Sequence, residues 1–367
     1  MKNIPMFRVA MNENIDEELL KVIHSGWIGQ GSKVNDFEEK LSKVFDNNRV
    51  LTLSAGTHGI SLALRLAGVS EGDEVITTPL TCTATNMPIL HTGAKIVWAD
   101  VKRDFNIDPK SIKDCLTDKT KAIVVVHWGG YPCDMDEISK IAGDIPIIED
   151  CAHAYGSLYK NHTIGDCNYS DYAMFSFQAI KHLTSIDGGA LCCSDKQSYD
   201  KGKLLRWYGI DRESIRTDFR CEENILDGGY KFHMNDVNAT VGMNNMQLAK
   251  DNIIKAVDNA KYFEKELSGI NGIELPQMQT DKLSSYWLFT MLVENRSDFT
   301  HLMGSKGIAV SRVHERNDKH TCFKEFRKDL PVLETIIDKM ICIPVGWWVS
   351  KEDREYIVDC IKEGWMY

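Results

Sequence analysis

Two apolar runs end in ionisable residues. Ile145-Pro146-Ile147-Ile148 leads into Glu149-Asp150-Cys151-Ala152-His153-Ala154, and Tyr172-Ala173-Met174-Phe175 leads into Ser176-Phe177-Gln178-Ala179-Ile180-Lys181. Desolvation at the end of a buried strand shifts pKa values most. A lysine placed there has its pKa lowered, as an amine nucleophile requires. On a plainer reading Asp150 caps a helix and Lys181 snorkels to solvent. A third candidate is Gly56-Thr57, at the start of an apolar helix. Free N–H groups and the helix dipole favour an anion there, although Ser54 could serve simply as an N-cap.

The surrounding pattern says what positions these groups. Ile15 to Ser25 and Val34 to Phe45 have the apolar spacing of amphipathic helices, and a third helix opens at Ser54 and runs through Leu66. Strands are then expected over Glu74 to Thr78, Lys95 to Asp100, Ala122 to His127, Ile145 to Asp150, Ser170 to Phe177 and Gly189 to Cys193, with helical stretches such as Asp134 to Ala142 between them. This alternation predicts an α/β domain with a mostly parallel sheet. Ligands of such sheets sit at the carboxyl ends of the strands, which is where Asp150 and Lys181 fall. The texture changes after about Tyr230. Met234 to Leu267 reads as a long helix or a broken pair, followed by a strand over Tyr286 to Val293, a short helix, a strand near Ile308 to Val313 and two final helices. The expected division is a large α/β domain, residues 1–248, and a small C-terminal α+β domain, residues 249–367.

Composition narrows the function. With 43 Lys and Arg against 53 Asp and Glu, the net charge is −10, which argues against nucleic acid or an anionic membrane as partner. No apolar run approaches the ~18 residues of a spanning helix, and no signal-peptide core follows Met1-Lys2-Asn3-Ile4-Pro5-Met6. A cytoplasmic protein is expected. Its eleven cysteines show no Cys-x-x-Cys spacing, so reduced thiols and no metal site are expected. A carboxylate, a lysine and a phosphate seat at the ends of neighbouring elements are what pyridoxal phosphate needs. The lysine forms the Schiff base, the carboxylate keeps the ring nitrogen protonated and the helix N-terminus holds the phosphate.

Further motifs appear in a fixed order: Trp27-Ile28-Gly29-Gln30-Gly31 with Phe37-Glu38, Ser54-Ala55-Gly56-Thr57, Gly72-Asp73-Glu74-Val75-Ile76-Thr77-Thr78-Pro79, Thr81-Cys82-Thr83-Ala84-Thr85, Gly188-Gly189-Ala190 and Gly229-Tyr230-Lys231-Phe232-His233-Met234-Asn235-Asp236. With the two strand-end motifs, these make the chain resemble the DegT-type pyridoxal-phosphate sugar aminotransferases from about Pro5 to about Gly364. The resemblance implies the type I aminotransferase fold and a homodimer with shared active sites. It implies pyridoxal 5'-phosphate, with pyridoxamine phosphate as intermediate, and amine transfer from glutamate to a keto group of a nucleotide-linked hexose.

By matched position, the resemblance makes Lys181 the cofactor lysine and proton shuttle, and Asp150 the partner of the ring nitrogen. His153 is implied near the phenolic oxygen, and Gly56, Thr57, His58 and Ser176 at the phosphate. Gln30, His314 and Arg316 are implied as substrate contacts, the last two within the cation-rich run Arg312 to His320. Three positions depart from the family pattern: Cys82 replaces a ring-stacking aromatic, Lys231 an Asn that reaches the partner's cofactor phosphate, and His233 an Arg. Lys231 is therefore expected to make a charged contact across the dimer. His127-Trp128-Gly129-Gly130-Tyr131 either lines the site or forms a tight turn with a packed aromatic, and Trp347-Trp348 reads as core or interface. A dehydratase or deoxygenase on the same scaffold is the first alternative. The best-known dehydratase branch has His in place of the lysine, whereas Lys181 is present here. A non-catalytic cofactor-binding regulator is the second.

Overall fold

The computed structural model describes residues 2–214 and 224–365. Its strands are β1 (Val50–Leu53), β2 (Glu74–Thr77), β3 (Lys95–Trp98), β4 (Thr120–Val126), β5 (Ile147–Asp150), β6 (Leu158–Tyr159), β7 (His162–Thr163), β8 (Tyr172–Ser176), β9 (Gly189–Cys193), β10 (Ile273–Glu274), β11 (Lys282–Leu283), β12 (Phe289–Val293) and β13 (Met340–Ile343). Seven of them form the central sheet, in the order β1-β9-β8-β5-β4-β2-β3. β9 runs antiparallel to both neighbours, and the other pairings are parallel. The fold is therefore a mixed α/β fold around a mostly parallel sheet, as expected. β4 shows why its sequence is continuously apolar. Ala122 and Val124 enter one core, Ile123 and Val125 the core on the opposite face, and all four are fully buried.

The helices are α1 (Asp16–Ile23), α2 (Ser32–Phe45), α3 (Gly56–Leu66), α4 (Thr83–His91), α5 (Pro109–Cys115), α6 (Met135–Ala142), α7 (Lys196–Leu205), α8 (Asp236–Leu267), α9 (Arg296–Ser305), α10 (Pro331–Ile336) and α11 (Lys351–Gly364). α8 is one unbroken helix of 32 residues, so position 248 lies inside it. Asn235 caps it at Asn238 N–H, and buried Asp236 accepts the N–H groups of Gly31 and Val34, tying the start of α2 to the start of α8. β10, β12 and β13 form a second sheet. The faces of β12 divide: Phe289, Met291 and Val293 enter a C-terminal core, whereas Leu292, with Leu288 just before the strand, joins a core of the central sheet.

The strand expected near Ile308 to Val313 is not formed. Only isolated bridges remain, Ile4 with Ile308 and Ser311 with Cys342. Val313 adopts φ +66°, which ends extended pairing and is costly for a β-branched residue. β13 was not foreseen. The N-terminal arm packs on the C-terminal part, with Ala309 N–H donating to Ile4 O and Trp348 Nε1 to Pro5 O. Ten cysteines among the described residues are free, eight of them buried, and Cys221 lies outside the described residues. Among the described residues no helix is long and apolar enough to cross a membrane.

Candidate active site

Asp150 ends β5 in the middle of the central sheet and is 4% exposed. No helix follows it, so it is no helix cap. Thr85, on α4, donates its hydroxyl to Oδ2 at 2.6 Å, and Ala152 N–H donates to Oδ1 at 3.0 Å. Burial pushes this carboxyl up, against those two bonds and the nearby Lys181. Lys181 stands in the turn after β8 and faces the same cavity as Asp150. Burial lowers its ammonium to about 8, opposed by Asp150 and Cys82.

The start of α3 completes the set. Its N-cap, Ala55, offers no side-chain acceptor. Ser54, the alternative cap, instead contacts His58 Nδ1 at 2.9 Å and Phe232 O at 3.2 Å. The first N–H groups of α3 thus have no side-chain partner among the described residues, in a cavity lined by Gly56, Thr57 and Ser176. Glycine is required at position 56. An added Cβ would stand 2.9 Å from Ser176 Cβ, holding the helix end away from β8.

His153 accepts Gly129 N–H at Nδ1 (3.3 Å), which leaves its proton on Nε2. Its ring stacks on Trp287 at 4.0 Å and lies parallel to His314 at 5.9 Å, with Trp128 edge-on to both imidazoles. Burial holds His153 well below the usual imidazole range, helped by Lys181, and lowers His314 to about 4. Both rings are neutral at pH 7. His314 Nε2 is buried without a hydrogen-bond partner among the described residues.

Gly56, Thr57, Asp150, His153, Ser176, Lys181 and His314 therefore line one cavity of about 480 Å³. Cys82 is also on its wall. His58 lies beside it, stacked on Phe232 at 4.1 Å. Gln30 lies in a different cleft, where its Oε1 and carbonyl accept from Arg212 at 3.0 and 3.1 Å. Arg316 is buried, with Nε and Nη2 donating to Asp318 at 2.7 and 2.6 Å. Lys231 is exposed and bridges Trp207 through its backbone, and the His233 ring abuts Trp207 at 3.9 Å. The cation-rich run is thus not a solvated loop. His314 faces the cavity, whereas Arg316, Asn317 and Asp318 are buried, and Asn317 donates to Thr81 O at 2.7 Å.

Sequence reasoning missed Thr85, Trp287 and Phe7 as site residues. The 127–131 segment takes the second of the two forms left open for it, a tight turn with a packed aromatic, and lies behind the cavity wall rather than on it. Trp128 is packed against the two imidazoles, and Gly129 and Gly130 turn at φ +62° and +98°. A Cβ on Gly130 would meet Ser285 Oγ at 2.6 Å and His153 O at 2.8 Å, so the glycine lets the segment bearing Trp287 dock. Behind β5, His127 Nε2 contacts Glu149 Oε2 at 2.7 Å and His127 Nδ1 accepts Cys133 N–H at 3.1 Å. Ser170 donates to Glu149 Oε1. His127, Glu149 and Cys151 could meet a metal ion by distance alone, but these bonds already occupy the His127 and Glu149 side chains.

The cavity's donors fit pyridoxal phosphate: uncapped N–H groups for the phosphate, Asp150 for the ring nitrogen, the Nε2–H of His153 for an oxygen and an amine of lowered pKa for the aldehyde. Such a set at the carboxyl edge of a mostly parallel sheet defines the type I class of pyridoxal-phosphate enzymes. Comparison with known proteins narrows this further. The chain belongs to the DegT/DnrJ/EryC1/StrS aminotransferase family, which matches residues 9–362. It is a pyridoxal-phosphate-dependent aminotransferase. AtS13 from Actinomadura melliaura is 38% identical, with all of both chains covered and a TM-score of 0.96. The sugar aminotransferase CalS13 from Micromonospora echinospora is 34% identical, covering 99% of this chain and 100% of that one, with a TM-score of 0.94. The GDP-perosamine synthase of Escherichia coli O157:H7 is 29% identical over 99% of each chain.

Proposed function

We propose that the enzyme transfers an amino group from glutamate to a keto group of a nucleotide-linked hexose, with Lys181 as the cofactor lysine and Asp150 as the partner of the ring nitrogen. The observation that carries this is the convergence of Lys181, Asp150 and the uncapped start of α3 on one cavity. The names of CalS13, a sugar aminotransferase, and of GDP-perosamine synthase support the substrate class. Bound pyridoxal phosphate supplies an aldehyde for amine exchange and an electron-withdrawing ring. Asp150, fixed by Thr85 and Ala152, holds a proton on the ring nitrogen. Gly56, Thr57 and Ser176, with His58 beside them, hold the phosphate. His153 donates its Nε2–H to the phenolic oxygen. With a pKa of about 8, Lys181 takes up and returns protons near neutral pH, where an acid–base group works best.

The active unit in this reading is a cytoplasmic homodimer. Exposed apolar side chains support it. Trp27 and Ile28 are 59% and 55% exposed, and Ile186 is 52% exposed. Apolar groups in such number favour burial against a second copy. There Lys231 reaches the partner's cofactor phosphate, and Gln30, beside Trp207, meets the partner's substrate. His314 contacts the substrate within the cavity. Arg316 contributes by setting the backbone beside His314, since Asp318 holds its guanidinium. A mass-spectrometric screen of nucleoside-diphosphate keto hexoses with glutamate and pyridoxal phosphate tests the proposal. The expected product is the amino sugar nucleotide, with 2-oxoglutarate formed in equal amount. Turnover of glutamate with simple keto acids and no keto sugar would overturn the substrate assignment.

A further inference from the structure

The side chain nearest to a function that nothing so far assigns is Trp287. It is 5% exposed and lines the cavity beside Lys181. Lys181 Nζ stands 3.8 Å from the centre of its ring. Its Nε1 donates to Ile180 O at 2.9 Å, so one indole touches both the amine and the backbone that carries it. The indole is not free to drift. Phe7 of the N-terminal arm stacks at 4.9 Å and His153 at 4.0 Å.

The segment bearing Trp287 is pinned to the loops of the central sheet. Leu288 N–H donates to Gly129 O at 3.2 Å, Ser285 Oγ to His153 O at 3.1 Å, and Ser285 N–H to Ser157 Oγ at 3.1 Å. Tyr286, at φ +50°, donates its hydroxyl to Glu264 on α8. The indole is therefore a fixed plate, set from four directions.

Lys181 needs such a plate. Each half of an amine exchange frees its amine, which must then hold a proton, with Asp150 the carboxylate that acts on it among the described residues. The other titratable groups around the cavity are Cys82 at the start of α4, Asp187 after β8, and His153, His182 and His314. The three imidazoles are neutral and raise no competing attraction. An aromatic face attracts a desolvated ammonium at short range.

We infer that Trp287 is a positioning residue, a cation–π seat on which the protonated amine of Lys181 rests whenever it is not bonded to the cofactor. The inference rests on Lys181 being the cofactor lysine. Borohydride trapping establishes that separately, so failure of one idea is distinguishable from failure of the other.

The test measures the proton affinity of Lys181 itself. The holoenzyme is held in its amino-loaded form by excess glutamate, and acetylation of the Lys181 peptide is followed by mass spectrometry across pH. Tryptophans carrying one to four fluorines are introduced at position 287, which weakens the ring's attraction for a cation while keeping its shape. The labelling midpoint is expected to fall stepwise with fluorination, by roughly half to one and a half pH units in all. Trp287→Phe should keep most of the wild-type midpoint, and Trp287→Leu should show the full drop, with kcat reduced about tenfold or more and KM little changed. A midpoint that does not move across the fluorinated series would overturn the inference, whatever Trp287→Leu does to folding.

Discussion

Glu149 and Asp150 are neighbours on β5, yet they face opposite sides of the sheet and meet opposite fates. Behind the sheet, Glu149 accepts from His127 and Ser170, and His127 has partners at both ring nitrogens. In front, Asp150 meets Thr85 and Ala152 but still borders a cavity, near a buried His314 nitrogen with no partner and a helix start with no cap among the described residues. Both sides bury ionisable groups. A closed network satisfies its own polar atoms and belongs to the architecture. An open one keeps polar capacity for a ligand. The difference separates the metal-like trio of His127, Glu149 and Cys151 from the site, although the residue types alone look equally chemical.

The comparison breaks most sharply at Lys181. Lys181→Ala should lower turnover by roughly 10⁴-fold or more, the upper range for a positioned proton-transfer group, in an assay of amino-sugar formation. Asp150→Asn keeps the shape and removes the charge, and should lose about 10²-fold. Near-normal turnover in that variant would mean the open side of β5 is no more functional than the closed one. The pH dependence sharpens the same point. Capture of pyridoxal phosphate by cofactor-stripped enzyme requires the neutral amine, so its rate should rise about tenfold per pH unit below about 8 and level off above it. Burial lowers the folded-state value from 10.5 to about 8. The cost of the buried ammonium is therefore full below pH 8 and fades as pH rises to 10.5. Relative to Lys181→Met, the stripped enzyme should gain stability across that window in thermal melts. On the closed side, His127→Ala leaves Glu149 buried with one partner fewer. It should cost about 3 kcal/mol or more in denaturant unfolding while changing kcat of the folded protein by no more than about threefold. A large kcat loss at full stability would erase the contrast.

Much of this was legible in the sequence because strand-end chemistry is local. The buried runs at β4, β5 and β8 announce themselves by continuous apolar residues, and Asp150 and Lys181 follow from where the last two stop. The residues that complete the site follow from docking. Thr85 lies on α4, whose internal Pro88 masks a helix from propensity reasoning. Trp287 reads as a strand residue, and only the contact of its segment with Gly129 and Gly130 brings it to Lys181. That glycine pair was the available signal. Ile308 to Val313 looks like a strand by composition, but Val313 turns at positive φ to reach the cavity wall, a tertiary demand that overrides β-propensity. Arg316 illustrates the converse. A cation-rich run reads as solvent-facing from sequence, whereas the Arg316 guanidinium is buried and paired with Asp318.

The central claim is that the open side of β5 is the cofactor site, with Lys181 as its reactive group. Borohydride reduction of the yellow holoenzyme, followed by proteolysis and peptide mass spectrometry, tests it most directly. The account predicts one pyridoxyl adduct per chain, on the peptide containing Lys181 and on that residue within it. An adduct on any other lysine, or a holoenzyme whose cofactor is not fixed by borohydride at all, would contradict it.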